Sequence, residues 1–253
     1  MLDVKGLSKQ FGGFKAVDNI SLNVGPGEIF GFLGPNGAGK TTTIKMLAGL
    51  LKPDKGTILI NGCNLAEEPK LCKKQTGYIP DRPYLYEKLT GFEFLQFVGS
   101  LYSMTEDLFI KNTDKLLNLL DLDEWRHHLI ESYSHGMRQK LIIISAFMLE
   151  QPLIIVDEPM VGLDPKSARI VKVLFKEHAA QGGSVFLSTH SLDVAEELCD
   201  TIAIIVQGRI QATGDLDSLR KQARTETRGL EDIFLELTGV HELSAVVQAL
   251  REG

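Results

Sequence analysis

Leu2, Val4 and Leu7, and then Ile20, Leu22 and Val24, alternate with polar residues, the period-two pattern of half-buried strands. Gly25-Pro26-Gly27 marks a turn. Ile29-Phe30-Gly31-Phe32-Leu33 is continuously apolar and short, which predicts a strand covered on both faces, as in a parallel sheet. A glycine-rich loop follows over Gly34–Gly39. Ile44, Leu47, Ala48 and Leu51 then recur at helical spacing until Lys52-Pro53-Asp54-Lys55-Gly56 ends the helix. The second half repeats the alternation. Leu153–Val156 predicts a buried strand, and Asp164-Pro165 supplies an N-cap and a first-turn proline. That helix runs through Ile170, Val171 and Leu174 to Gly182-Gly183. Val185-Phe186-Leu187 predicts a strand, Ser191–Asp200 a helix, and Ile202–Val206 a further strand. Such alternation predicts a layered α/β fold.

From about Leu85 to Leu149 no strand is evident, and Leu116, Leu117, Leu119 and Leu120 belong to helical patterns. We read a helical insertion over about 85–150 within a main domain of 1–220, followed by a helical extension over 221–253. In that extension Lys221–Arg228 is charge-rich. Leu230, Ile233, Phe234 and Leu237 form one helical stripe, and Leu243, Val246, Val247 and Leu250 a second. Packing onto the parent domain is the ordinary fate of such stripes, and a partner surface is the alternative.

Composition changes the picture mainly by exclusion. With 43% hydrophobic and 24% charged residues in 253, the chain is an ordinary globular protein, neither disordered nor collagen-like. Its longest nearly apolar run, Leu141–Leu149, is far short of the ~20 residues a membrane span needs. Met1–Lys5 lacks the basic and apolar regions of a signal peptide, so a cytoplasmic location is expected. Cys63, Cys72 and Cys199 form no CxxC pair and imply neither a disulfide framework nor a zinc site. A net charge of −6 gives no electrostatic reason to expect bulk nucleic-acid binding.

Candidate chemistry begins at Gly34-Pro35-Asn36-Gly37-Ala38-Gly39-Lys40-Thr41, which satisfies G-x-x-x-x-G-K-[ST] between a predicted strand and a predicted helix. Glycines let successive N–H groups turn inward around a phosphate, and the helix start adds its positive end. Lys40 can reach the β- and γ-phosphates, the Thr41 hydroxyl can ligate Mg²⁺, and Thr42 continues the cradle. The pattern reads as a nucleotide-binding P-loop with ATP and Mg²⁺ as its ligands. Asp157-Glu158 closes a buried strand. Beside a P-loop, Asp157 can hold the metal shell and Glu158 can orient the attacking water. His190 ends the strand through Leu187, at the edge of a parallel sheet where α/β ligands bind, and could hydrogen-bond the γ-phosphate.

Together these residues resemble the ATP-binding subunit of an ABC transporter, over at least residues 1 to about 215. The resemblance implies a P-loop NTPase fold with an N-terminal antiparallel β-subdomain and a helical subdomain inserted in the core. Phe11 stands where that family places an aromatic ring under the adenine, with a core position as the lesser alternative for a single aromatic in a strand. Tyr133-Ser134-His135-Gly136-Met137 occupies the place of the family's Leu-Ser-Gly-Gly-Gln signature. Ser134 and Gly136 are retained, while His135 and Met137 replace a glycine and the glutamine. Gly162-Leu163-Asp164 resembles the loop that crosses between paired subunits. Gly77-Tyr78-Ile79-Pro80-Asp81 matches the Q-loop, with Asp81 where the family has glutamine; its carboxylate can still approach Mg²⁺. These variants, with Asp232–Gly239, look like the ABC-2 exporter subgroup.

The resemblance further implies two subunits head to tail, ATP sandwiched between one P-loop and the other's Ser134 and Gly136. A second ATP-binding subunit, as a homodimer in the ATP-bound state, and an integral-membrane transporter subunit are the implied partners. The location implied is peripheral, on the inner face of the cell membrane. Tyr84 and Tyr86 lie near the element that would transmit motion, or are rim or core aromatics. Two other classes fit less of the chain. A soluble ABC-type ATPase acting on ribosomes or DNA usually carries two cassettes or a long coiled coil. A small-molecule kinase would explain Lys40 but neither Ser134-His135-Gly136 nor Gly162-Leu163-Asp164.

Overall fold

The computed structural model describes residues 1–223 and 229–238. The stripe of Leu243, Val246, Val247 and Leu250, together with Gly239, residues 224–228 and the side chain of Leu237, lies outside the described residues.

Strands β1 (Leu2–Phe11) and β2 (Phe14–Val24) form an antiparallel hairpin in which Phe11 pairs with Phe14 across Gly12-Gly13. Both glycines have positive φ, at 51° and 92°, which a tight hairpin turn of this kind requires. The alternation read from Leu2 and Val4 slips by one at Leu7, because β1 carries an irregularity between Val4 and Leu7, where Gly6 has φ +60°. Strand β3 (Ile29–Leu33) is buried at every position and leads through the glycine loop into α1 (Lys40–Leu47). The helix expected to reach Leu51 stops one turn earlier. Ala48 caps it and Gly49 takes φ +65°, a left-handed conformation that turns the chain out of the helix.

Next come β4 (Lys55–Ile60), β5 (Cys63–Asn64), α2 (Pro69–Lys74) and β6 (Thr76–Ile79). Helices α3 (Gly91–Leu101), α4 (Glu106–Leu119) and α5 (His135–Phe147) follow, and pack on one another. The chain returns to the sheet through β7 (Leu153–Asp157), α6 (Pro165–Ala180), β8 (Ser184–Thr189), α7 (Leu192–Leu198) and β9 (Thr201–Val206). It ends with β10 (Arg209–Gly214), α8 (Leu216–Gln222) and α9 (Leu230–Thr238). One sheet is antiparallel, in the order β2-β1-β4-β5; the other has the order β10-β9-β3-β8-β7-β6, with every pair parallel except β10-β9.

The central strands divide their side chains between two hydrophobic layers. Phe30, Phe32 and Phe186 face a cluster with Leu2, Ile44 and Leu47, beneath the antiparallel sheet and α1. Val156 and Leu187 face the other way, into a cluster with Leu95, Leu117, Ile144 and Phe175 from the inserted helices and α6. Leu230 and Ile233 of α9 are buried against Leu33, Ile204 and Leu219. Among the described residues no helix is long and apolar enough to cross a membrane.

Parallel register fixes where chemistry can sit. Leu33 pairs with Thr189, Asp157 with Ser188, and Ile79 with Val156. The glycine loop, Asp157-Glu158, His190 and Asp81 therefore emerge from one edge of one sheet, the carboxyl ends of its strands.

Phe186 stacks on Phe30 at 5.6 Å and leans on Phe32 at 5.4 Å in the middle of that sheet. Phe186→Ala should cost about 3–5 kcal/mol in a urea unfolding titration, while Val173→Ala on the exposed face of α6 should stay within about 0.5 kcal/mol of the parent.

Candidate active site

The glycine loop is held from behind. A Cβ on Gly34 would lie 2.3 Å from the Ile205 carbonyl oxygen, and one on Gly39 would lie 2.3 Å from that of Ala16. These positions have no room for a side chain, and Gly39 also has φ +107°. Backbone pairing completes the mount: Gly208 N–H donates to the Ala38 carbonyl at 2.9 Å, and Asp18 N–H to that of Gly208 at 2.8 Å. The front of the loop, with Asn36 and Gly37, borders a cavity of about 500 Å³ that Gly39, Lys40, Thr41 and Thr42 also line.

Lys40 is only 7% exposed. Its ammonium donates to the Gly34 carbonyl at 2.6 Å and the Pro35 carbonyl at 3.2 Å. Burial lowers its pKa, and the nearby Glu158 and Asp157 carboxylates push it back up. Opposite, Asp157 ends β7 with 2% exposure. Burial raises its pKa, and hydrogen bonds from the Ser188 hydroxyl, at 2.7 Å, and from Thr41 counter that; Glu158 and Asp81 raise it further. Three carboxylates, Asp81, Asp157 and Glu158, thus line the cavity beside the phosphate cradle, and their mutual repulsion favours a cation nearby. Thr41 and Asp157 offer hard oxygen donors of the kind Mg²⁺ takes, and among the described residues no group of three or more His, Cys, Asp and Glu side chains is placed to hold a metal unaided, so other oxygens must complete the set. The donor set fits Mg²⁺ completed by phosphate oxygens.

Glu158 follows Asp157 in the left-handed region at φ +51°, a costly conformation for a non-glycine residue. Its N–H donates to the Ser188 carbonyl at 3.0 Å, which fixes the turn. The Thr189 hydroxyl then donates to its Oε2 at 3.3 Å, and His190 Nδ1 lies 2.9 Å from the same oxygen. The Thr189 hydroxyl also accepts from Ser191 N–H at 3.0 Å. Ser188 and Thr189 were not among the residues singled out from sequence. Both lie in a strand whose apolar positions drew attention instead; hydroxyls at the last two positions of a buried strand were the available signal.

The sequence reading thus converges in space for Phe11, Asn36, Gly37, Gly39, Lys40, Thr41, Thr42, Asp81, Asp157, Glu158 and His190, all of which line the cavity. Phe14, Ala16 and Val161 line it as well and had not been anticipated. Phe11 is 47% exposed at the hairpin tip, with the Lys9 ammonium 5.5 Å from its ring centre, so the core alternative is excluded. Gly34, Pro35 and Ala38 form the back of the loop.

Ser134, Gly136 and Asp164 do not join this cavity. Ser134 is exposed and caps α5, accepting from Met137 N–H at 3.2 Å. Gly136 packs on the Gly162 backbone, since a Cβ there would lie 2.6 Å from the Gly162 carbonyl oxygen. Asp164 caps α6, accepting from Ser167 N–H at 2.9 Å and the Ser167 hydroxyl at 2.6 Å, and pairs with Lys140 at 3.2 Å. The Ser167 hydroxyl, then its N–H, then Lys140 hold the Asp164 carboxyl well below the usual carboxylate range.

The sequence profile described as ABC transporter matches residues 17–161. The chain is 37% identical over 238 residues to the ABC-type transporter ATP-binding protein EcsA of Bacillus subtilis (strain 168), covering 94% of this chain and 96% of that one. It is 36% identical over 242 residues to the linearmycin resistance ATP-binding protein LnrL of the same organism, covering 96% and 76%. A solved structure of the ATP binding subunit of an ABC transporter superposes with a TM-score of 0.91 at 38% identity, covering 94% of this chain and 99% of that one.

A depressed carboxyl pKa contributes stability that is complete above the unfolded value and is lost as pH falls through the folded one. Asp164→Ala should therefore cost about 1 kcal/mol at neutral pH in urea titrations, a value for a half-exposed cap. The gap to the parent should narrow once pH drops below about 4.

Proposed function

The chain belongs to the ABC transporter family as one of its ATP-binding, ATP-hydrolysing subunits, and we propose that it drives export through a separate membrane subunit by pairing with a second copy of itself around ATP. The observation that carries this reading is the split between two sets of residues. The front of the glycine loop, Lys40, Thr41 and the acids line one cavity, while Ser134, exposed at the start of α5, lies outside it. A helix start with an exposed hydroxyl suits an anion, and none of its own chain's phosphate-binding residues accompany it.

Each residue then has a task. Phe11 offers a face to the adenine, with Phe14 beside it. The loop from Gly34 to Gly39, with Lys40 and Thr42, holds the phosphates. Thr41 and Asp157, with Asp81 alongside, would hold Mg²⁺, which neutralises phosphate charge when bound. Glu158 orients the attacking water toward the γ-phosphate, held in place by Thr189 and His190 at Oε2. Ser134, Gly136 and Asp164 complete the partner's site. His190, exposed beside Glu158, hydrogen-bonds the γ-phosphate and so links cleavage to opening.

Tyr84 and Tyr86 are 85% and 60% exposed and follow shortly after the cavity-lining Asp81 in sequence. We assign this aromatic surface to contact with the membrane subunit, which places the chain on the cytoplasmic face of the membrane as a peripheral subunit. An export role draws on the likeness to LnrL, a resistance ATP-binding protein. Purification from mild-detergent extracts should bring down an integral-membrane protein with this chain; recovery of ribosomes instead would favour a soluble translation-linked ATPase.

Glu158→Gln keeps the shape of the site and removes the carboxylate that orients water. Phosphate release should fall by at least about a hundredfold while ATP affinity holds and an ATP-bound dimer accumulates on gel filtration. Normal turnover would remove Glu158 from the mechanism. Ser134→Ala should lower hydrolysis about tenfold without weakening ATP binding to the isolated subunit, because Ser134 serves the opposite site. Loss of that binding would contradict the shared site.

A further inference from the structure

Gln139 is completely buried, and neither its amide nitrogen nor its amide oxygen has a hydrogen-bond partner. It sits in α5 on a stripe with Gly136, Ile143 and Ala146, positions three and four apart that share one helix face. Both ends of the stripe are located by close contacts. Gly136 abuts the Gly162 carbonyl, and Ala146 Cβ lies 3.6 Å from where a Cβ on Gly77 of β6 would stand. Gln139, midway between those two contacts, therefore faces the region between the Glu158–Gly162 turn and β6, on the side of the sheet that carries the apolar layer of Ile79, Ile143 and Val156.

A buried carboxamide with no partner at all is costly, and a methionine or leucine would fill the same space without that cost. Such a group is explained if another conformation supplies the partner. The adjoining turn is suited to move. It is closed by two long hydrogen bonds, Val161 N–H to the Glu158 carbonyl and Leu163 N–H to that of Met160, both 3.3 Å. Glu158 and Gly162 within it have φ of +51° and +80°. The turn is already tied to α5, since Lys140 pairs with Asp164 and the His135 ring packs against Gly162.

We propose that Gln139 is a positioning residue: its amide, unpaired in this subunit alone, pairs with the backbone of the Glu158–Gly162 turn when ATP draws two subunits together. This rests on the paired-subunit reading above. Formation of that pair draws the turn toward α5 and sets Glu158 relative to the water it orients. A signature helix bound by one site thereby adjusts the catalytic carboxylate of its own chain.

Gln139→Met and Gln139→Leu test this in the full chain. Both should raise the Tm of the nucleotide-free protein by about 3 °C, since an unpaired polar group is removed from the core. Both should also lower kcat for ATP hydrolysis about tenfold, the rate equivalent of one lost hydrogen bond, with KM unchanged because Gln139 does not line the cavity. In the Glu158→Gln background they should reduce the fraction of ATP-trapped dimer. An unchanged or lower Tm would show that the amide is already satisfied, as by an internal water, and would overturn the proposal. A higher Tm with kcat and dimer fraction unchanged would also overturn it, leaving Gln139 a purely structural residue. The parent Glu158→Gln protein tests pairing by itself: were it to stay monomeric with ATP, the shared-site reading would fail and this proposal with it, whereas a parent that dimerises while the Gln139 variants keep the parent Tm, or keep kcat and dimer fraction, overturns the role of Gln139 alone.

Discussion

Lys40 is held nearly out of water at the start of α1, and an ammonium there is tolerated only because oxygen surrounds it. Two loop carbonyls accept from two of its three donors, and the carboxylates of Glu158 and Asp157 offset the pull of burial on its charge. The same carboxylates are themselves crowded, and Asp157 is pushed toward protonation by its own burial. A phosphate chain with its cation relieves both strains together: the phosphates face the ammonium, and the cation faces the acids. Much of the surrounding structure serves to keep these charges opposed. The hydroxyls of Ser188 and Thr189 hold the acids from the neighbouring strand, and the carbonyls of Ile205 and Ala16 pin the loop from behind.

That arrangement also explains why the α/β core is built as it is. Only a parallel sheet brings β3, β7 and β8 to end at one edge, and only strands buried on both faces can place the cradle over a rigid floor. Phe30, Phe32 and Phe186 form that floor. The helices α3 to α5 pack on the opposite layer through Val156 and Ile79, so their signature segment connects to the site through the strands and through the Glu158–Gly162 turn. Movement of one can therefore reach the other without passing through solvent.

The chemistry was more legible in the sequence than the architecture around it. The P-loop and Asp157-Glu158 follow strongly apolar strands, so both motif and context were visible at once. The short strands β4, β5, β6 and β10 were not read, because each mixes polar and apolar residues at a sheet margin or carries glycine. The end of α1 was misplaced by one turn, since Leu51 keeps the helical spacing and only the φ of Gly49 breaks it. Thr189 reads as strand, although its hydroxyl reaches Glu158. Gln139 gave no signal at all. An amide in a helix reads as a surface residue, and its burial depends on which face α5 turns to the sheet, a tertiary fact.

The proposed catalytic site is one shared between two copies of this chain. The specific ATPase activity of the purified chain, measured across a wide dilution series at saturating ATP, tests it most directly. A shared site predicts activity per subunit that falls steeply as the chain is diluted below its pairing affinity. Activity per subunit that stays constant at every concentration would mean that one chain carries a complete site, and would contradict sharing.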